Sequence, residues 1–299
     1  MIDGIIWAVT QLFWGFLNIF RALADPGAWL NWNADREALA RFIYYGGSVE
    51  FFFSVLALFL VILIIGIVFR RFLWGVVVGL EGFANITGRL FAWAGLLMVL
   101  QQVMIVFLQR IFRVSEIQLG PFGMSFARDL SWWSEELKLY NAMIVAMCCA
   151  YTFVQGGHVR VDLIYAGLSH RAKRVMDMAG ALFFILPAMT LTWMFGWYFM
   201  WRHLVTPKVS ASDKLDILVR KSQLMKWNVE TIGFSPNGFD AYFLFKILLV
   251  AFAGMMFVQA WAFFYRSLLE YLEGEESANR YLDKDVLEDE TAEHAAAIH

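Results

Sequence analysis

Residues 51–69 carry no charge from Phe51 to Phe69, and the run stops at Arg70-Arg71. About 20 apolar residues are what an α-helix needs to cross bilayer hydrocarbon, where each backbone polar group must be satisfied within the segment. Four further blocks have this character. They are 90–109, interrupted by Gln101-Gln102; 139–155, with Asn141; 175–200, with Asp177 near its start and Pro187 in its middle; and 241–265, with Lys246, ending before Arg266. A kink is expected at Pro187. Residues 4–20 are a sixth candidate, since no charge lies between Asp3 and Arg21. Three readings compete there, favoured in this order: a span, a surface helix with Gln11, Gly15 and Asn18 among Trp and Phe, and a signal peptide ending near Ala22-Leu23-Ala24. The pattern predicts an all-α polytopic integral membrane protein with five transmembrane helices and a candidate sixth.

Composition agrees. Hydrophobic residues are 60% of the chain and charged residues 17%, which argues against ordinary soluble domains. The net charge of -2 gives no basic surplus for nucleic acid. Cys148 and Cys149 are adjacent in an apolar block, so they read as packing residues rather than a disulfide or metal ligands.

Between the blocks, segments 70–89 and 156–174 are short and dense in positive charge, which favours the cytoplasm. The six basic residues of 201–240 point the other way. Trp132-Trp133 before one block, and Trp193, Trp197, Tyr198 and Trp201 closing another, read as interfacial belt residues. From Arg266 the chain reads as a soluble tail with three basic and ten acidic residues. No internal repeat is visible, so inverted transport halves are not evident.

Intramembrane ionisable and polar groups are the default functional candidates, because burying them in lipid is expensive. Here they are Gln101, Gln102, Asn141 and Lys246. Each has a plainer role: interhelical hydrogen bonding for Gln101, Gln102 and Asn141, and snorkelling towards Asp240 for Lys246. Asp177 reads as a local partner of Lys173 or Arg174. His158, His170 and His203 lie in or beside connections, and His294 and His299 in the tail. A haem held between spans therefore has no imidazoles. His158 and Asp162 make a poor metal pair. No Walker loop, H-E-x-x-H or G-x-S-x-G is present, and neither catalysis, a cofactor nor a metal is expected.

Two local patterns remain. Ser131-Trp132-Trp133-Ser134-Glu135-Glu136 suits a helix start, with Ser capping and Glu at the positive dipole end. Gly156-Gly157-His158-Val159-Arg160-Val161-Asp162-Leu163, followed by Arg171, Lys173 and Arg174, suits a helix stop and a basic connection. In this order and spacing they resemble the small membrane subunit, DctQ type, of tripartite ATP-independent periplasmic (TRAP) transporters. The resemblance covers about 90–270. It rests on Trp133, Ser134, Glu135 and Glu136, then Gly156, Gly157, His158, Arg160, Asp162 and Arg171. The doubled Trp132-Trp133 and the long connections 110–138 and 201–240 depart from short members.

The resemblance implies an enlarged small subunit: an extension, 1–89, with one or two membrane helices; a four-helix domain, 90–270; and an acidic cytoplasmic tail, 271–299. It implies the bacterial inner membrane, with 156–174 inside and 110–138 and 201–240 outside. The expected partners are a large DctM-type permease subunit carrying the sodium and substrate sites, a periplasmic solute-binding protein, and the bilayer. The system would import an organic acid by a sodium-driven route, with this chain as scaffold. Trp132, Trp133 and Glu135 would then fix the periplasmic end of a helix, and His158, Arg160 and Asp162 the cytoplasmic connection. A redox-enzyme membrane anchor binding quinone or haem, and an autonomous channel or exporter, are the alternatives.

Overall fold

The computed structural model describes residues 2–33, 35–119, 126–156, 165, 167–233 and 235–285. Its helices are α1 (Ile2–Ala24), α2 (Gly27–Leu30), α3 (Arg36–Gly46), α4 (Val49–Val68), α5 (Arg70–Arg110), α6 (Leu130–Gln155), α7 (His170–Gly180), α8 (Leu186–Trp201), α9 (Leu215–Ser222) and α10 (Phe243–Glu273). Two antiparallel ribbons interrupt them, β1 (Glu116–Leu119) with β2 (Phe126–Asp129) and β3 (Val205–Thr206) with β4 (Lys226–Trp227). Six helices among the described residues are long and apolar enough to cross a membrane. They include all five expected blocks and the candidate at the N-terminus, so the chain is an all-α polytopic membrane protein.

Local signals set the helix starts. Asp35 accepts a hydrogen bond from the Glu37 amide to open α3, and the Ser48 hydroxyl accepts one from Phe51 to open α4. Next to Pro187, where a kink is expected, the structure shows a π-turn just before the proline. Proline lacks an N–H and crowds the carbonyl four residues back, so residues 181–185 widen into a π-turn. The Leu186 amide bonds to the Ala181 carbonyl, five residues back. Helix α7, the π-turn and α8 thus run on as one long element.

Segment 70–89 corrects the sequence reading. It is not a connection but the first half of α5, a 41-residue helix roughly 60 Å long. The boundary between 89 and 90 lies within it. Leu73, Trp74, Val77, Glu81, Ala84, Asn85 and Gly88 recur every three or four residues and form its buried face. Leu73, Trp74 and Val77 pack with Phe59 of α4 and Trp261, Tyr265 and Leu269 of α10. The second half of α5 pairs antiparallel with α6. They approach closely at Gly88, where a Cβ would lie 2.1 Å from that of Tyr151, so only glycine fits. The Cys148 thiol meets the Gly88 carbonyl there at 3.3 Å, a packing role as expected.

The extension is built into the bundle. Helix α1 lies along α4, with Trp7 edge-on to Phe53. Helix α3 packs against the end of α8 and the 201–240 connection through Leu39, Ala40, Ile43, Trp197, Trp201 and Leu218. Its last carbonyls would lack partners in any helix. Here Trp193 Nε1 donates to Gly46 at 2.8 Å, Trp197 Nε1 to Ile43 at 2.8 Å, and the Tyr198 hydroxyl to Tyr44 at 3.3 Å. These aromatics are therefore more than belt residues, and Trp197 and Trp201 are buried.

Arg266 does not begin a tail, because α10 continues to Glu273. Beyond a 3-10 turn at Glu275–Ser277, the chain folds back and Asp283 and Asp285 pair with Arg89 at 3.0 and 2.8 Å. The Arg89 guanidinium holds Asp283 below the usual carboxylate range; for Asp285 the Tyr151 hydroxyl contributes most and Arg89 next. Depressed values mean the contact is fully stabilised above the ordinary carboxylate pKa of about 3.9 and is lost as pH falls through the lowered ones. The protection of the Asp285 amide from hydrogen exchange should be the same from neutral pH down to about 4, after correction for intrinsic exchange, and should fall only below that. Loss of protection nearer neutrality would contradict these carboxylate pairings.

Candidate functional site

The first motif clasps the segment that leads into α10. Helix α6 begins at Leu130 after Asp129, which makes no side-chain cap. The serines expected to cap do other things. The Ser131 hydroxyl donates to the Asn237 carbonyl at 3.3 Å, and Ser134 bonds back to the Leu130 carbonyl at 3.0 Å. Glu135 is the centre of the clasp. One carboxylate oxygen accepts from the Ser235 hydroxyl at 2.9 Å, the other from the Phe239 amide at 3.0 Å. Trp132 Nε1 donates to Asp240 at 3.0 Å, and its ring packs on Phe239 and on Trp133. Arg128 reaches the same Asp240 carboxylate at 3.4 Å. Glu136 faces the other way and accepts from Gln101 Nε2 at 3.1 Å; that nitrogen also donates to the Trp133 carbonyl at 3.0 Å. The motif thus joins α5, α6 and the start of α10.

The intramembrane polar candidates separate accordingly. Gln101 is interhelical glue, whereas Gln102 and Asn141 are exposed on outer faces. Lys246 is buried and does not reach Asp240, whose oxygens face Trp132 and Arg128. Its ammonium instead lies over the rings of Phe199 at 4.9 Å and Tyr242 at 5.6 Å. No group of three metal-ligating side chains occurs among the described residues.

Of the second motif, Gly156 closes α6 at φ 77, the left-handed conformation glycine adopts freely. Gly157, His158, Arg160 and Asp162 lie outside the described residues. Arg171 stacks over Tyr271 at 6.0 Å, and His170 Nε2 lies 3.3 Å from the Glu270 carbonyl. The far end of the connection is thereby tied to α10. Arg174 pairs with Asp177 at 3.1 Å, as expected, and Asp177 also accepts from the Tyr165 hydroxyl at 2.9 Å.

Sequence reading missed a buried charge network centred on Arg266. Its Nε and Nη2 meet the two oxygens of Glu81 at 2.6 and 2.5 Å. Nη1 donates to the Arg280 carbonyl at 2.9 Å, and the guanidinium lies over Trp74 at 5.4 Å. Glu270, 1% exposed, is 3.6 Å from Arg266 and 2.6 Å from Arg174. Acid and base alternate, so each buried charge has an opposite neighbour. The available signal was the spacing: Arg266 and Glu270 are one turn apart on α10, and Glu81 continues the buried stripe of α5.

The fold defines a membrane-embedded helical bundle whose motif side chains hold its own segments together. Residues 121–214, spanning β2, α6, α7 and α8, match the family described as Tripartite ATP-independent periplasmic transporters, DctQ component. This stretch matches the DctQ-component family over the residues that carry both motifs, and that family is a transporter component. Neither a curated protein nor a solved structure matches the chain.

Breaking the network and replacing it should have opposite consequences. Arg266→Ala alone leaves Glu81 buried without its partner and should cost about 3–5 kcal/mol. The double change Arg266→Met with Glu81→Met should recover most of that loss. Thermal unfolding in detergent reads both, and equal destabilisation by the single and double variants would refute the pairing.

Proposed function

We propose that this chain is the small membrane subunit of a TRAP-type secondary transporter in a bacterial inner membrane. The observation that carries this reading is the family match over 121–214, with the first motif at the start of α6, Gly156 closing that helix and Arg171 in α7. A large DctM-type permease subunit holds the sodium and substrate sites, and a periplasmic binding protein delivers an organic acid. This chain widens the immobile part of the assembly. Its interior chemistry supports that division of labour: Glu81, Arg174, Arg266 and Glu270 pair with one another, and Gln101 is engaged by Glu136. They are committed to holding helices rather than to a solute.

The organisation follows from the same reading. Residues 1–89 are the extension, 90–270 the four-helix domain, and 271–299 an acidic cytoplasmic tail. Because α5 runs unbroken through 89 and 90, the extension is fused rigidly to that domain. The 156–174 connection faces the cytoplasm, with Arg171, Lys173 and Arg174 obeying the positive-inside rule. The Glu135 clasp and the packing of α3 on α9 face the periplasm. His158, Arg160 and Asp162 hold the cytoplasmic connection.

Affinity capture of the tagged chain from gently solubilised membranes should bring down a near-stoichiometric partner with many more spans. Recovery of redox subunits, or of the chain alone from several mild detergents, would overturn the proposal. Arg160→Ala and Asp162→Ala should each lower both the yield of that complex and solute uptake by whole cells. If both variants leave yield and uptake unchanged, the role given to this connection is wrong.

A further inference from the structure

The end of the bundle where α6 stops carries a set of donors aimed at a pair of carboxylates. Arg89 Nη1 and Nη2 meet the two oxygens of Asp283 at 3.0 and 3.1 Å, and Nη2 also meets Asp285 at 2.8 Å. Asn85 Nδ2 donates to the Asp283 carboxylate at 3.1 Å and to its carbonyl at 3.0 Å. From α6, Gln155 Nε2 donates to the Asp283 carbonyl and Gln155 Oε1 accepts from the Asp285 amide, both at 3.0 Å. The Tyr151 hydroxyl donates to the Asp285 carboxylate. Two carboxylates two residues apart, and the peptide backbone between them, are read together.

This site has a rigid floor and a weakly bound occupant. Asn85 is held by Gln155 Nε2 donating to its Oδ1 at 3.3 Å, so part of the recognition is built into the helix pair. The ion pairs are different. Arg89 is 42% and Asp283 59% exposed, so these pairs are open to solvent and screened by salt. Leu282, packed against the α5–α6–α10 cluster, adds the one apolar anchor. Lys284, between the two acids, lies beside Gly156, where the α6–α7 connection begins.

We propose that Asn85, Arg89, Tyr151 and Gln155 form a binding site for an acidic peptide with carboxylates two residues apart. Its resident occupant is this chain's own segment 282–285, which exchanges with an equivalent segment supplied from outside. The tail is thus a displaceable strap across the start of the α6–α7 connection. The site is formed by contacts within this chain alone and is independent of the transport reading.

The full-length chain in lipid nanodiscs provides the test, with a fluorescein-labelled synthetic peptide of residues 279–290 as probe. In the wild-type protein the tail competes, so apparent affinity is reduced by the fraction of time the site is open. Asp283→Ala with Asp285→Ala should bind the peptide roughly ten-fold more tightly than wild type. Adding Arg89→Gln, or raising salt, should abolish that gain. Equal binding by the wild-type and double-Ala chains, or binding that survives Arg89→Gln, would overturn the proposal. Hydrogen exchange over 282–285 supplies a second readout without peptide. Arg89→Gln should accelerate it several-fold, and exchange unchanged from wild type would also overturn the site.

Discussion

A guanidinium buried between membrane-spanning helices is tolerated only when its charge and all its donors are matched, and Arg266 governs one end of this bundle for that reason. Its partners come from separated parts of the chain: Glu81 on α5, Glu270 one turn further along α10, and the Arg280 carbonyl past the end of that helix. Glu270 passes the constraint on to Arg174, and Arg174 to Asp177. Three helices and the returning chain are therefore positioned by one alternating series of charges. Apolar contacts alone leave helices free to slide against one another in lipid, since lipid tails pack as well as leucine. The buried pairs select one register.

The opposite end relies mainly on neutral donors. Three aromatic side chains of α8 supply N–H and O–H groups to the carbonyls that end α3, while their rings form the apolar core between α3, α8 and the 201–240 connection. The Glu135 clasp acts in the same manner on the lead-in to α10, pairing a backbone amide and a hydroxyl that the sharp approach to the helix would leave exposed. Both devices join residues about 100 to 154 positions apart. The extension and the long connections consequently share a folded structure with the matched DctQ segment rather than hanging from it.

Legibility in the sequence followed the physics of each signal. Membrane-length apolar blocks stood out because the bilayer demands length and the absence of charge together. Helix α5 was half hidden, since Arg70, Arg71, Glu81 and Arg89 mimic the composition of a loop. Only the recurrence of Leu73, Trp74, Val77, Ala84 and Gly88 betrays its buried face. The site was legible as motif but not as contact. Glu135 reads as a helix-start residue, yet its use for Ser235 and Phe239 depends on a loop about 100 residues away. Lys246 was expected to extend towards Asp240, and packing instead laid it over Phe199 and Tyr242 because Trp132 and Arg128 reach that carboxylate.

What the sequence by itself determined is the class: membrane helices of sufficient length, a proline-driven distortion, a left-handed glycine stop at Gly156, and the DctQ pattern. Each of these is a local demand, met within a few residues or one membrane thickness. What only the tertiary structure decided is the use of the charges. Arg266 reads as the start of a tail until Glu81 is brought to it, and Asp283 and Asp285 read as solvated acids until Arg89 and Asn85 receive them. An ion's environment is set by what is packed around it in space, and a linear order of residues does not contain that information.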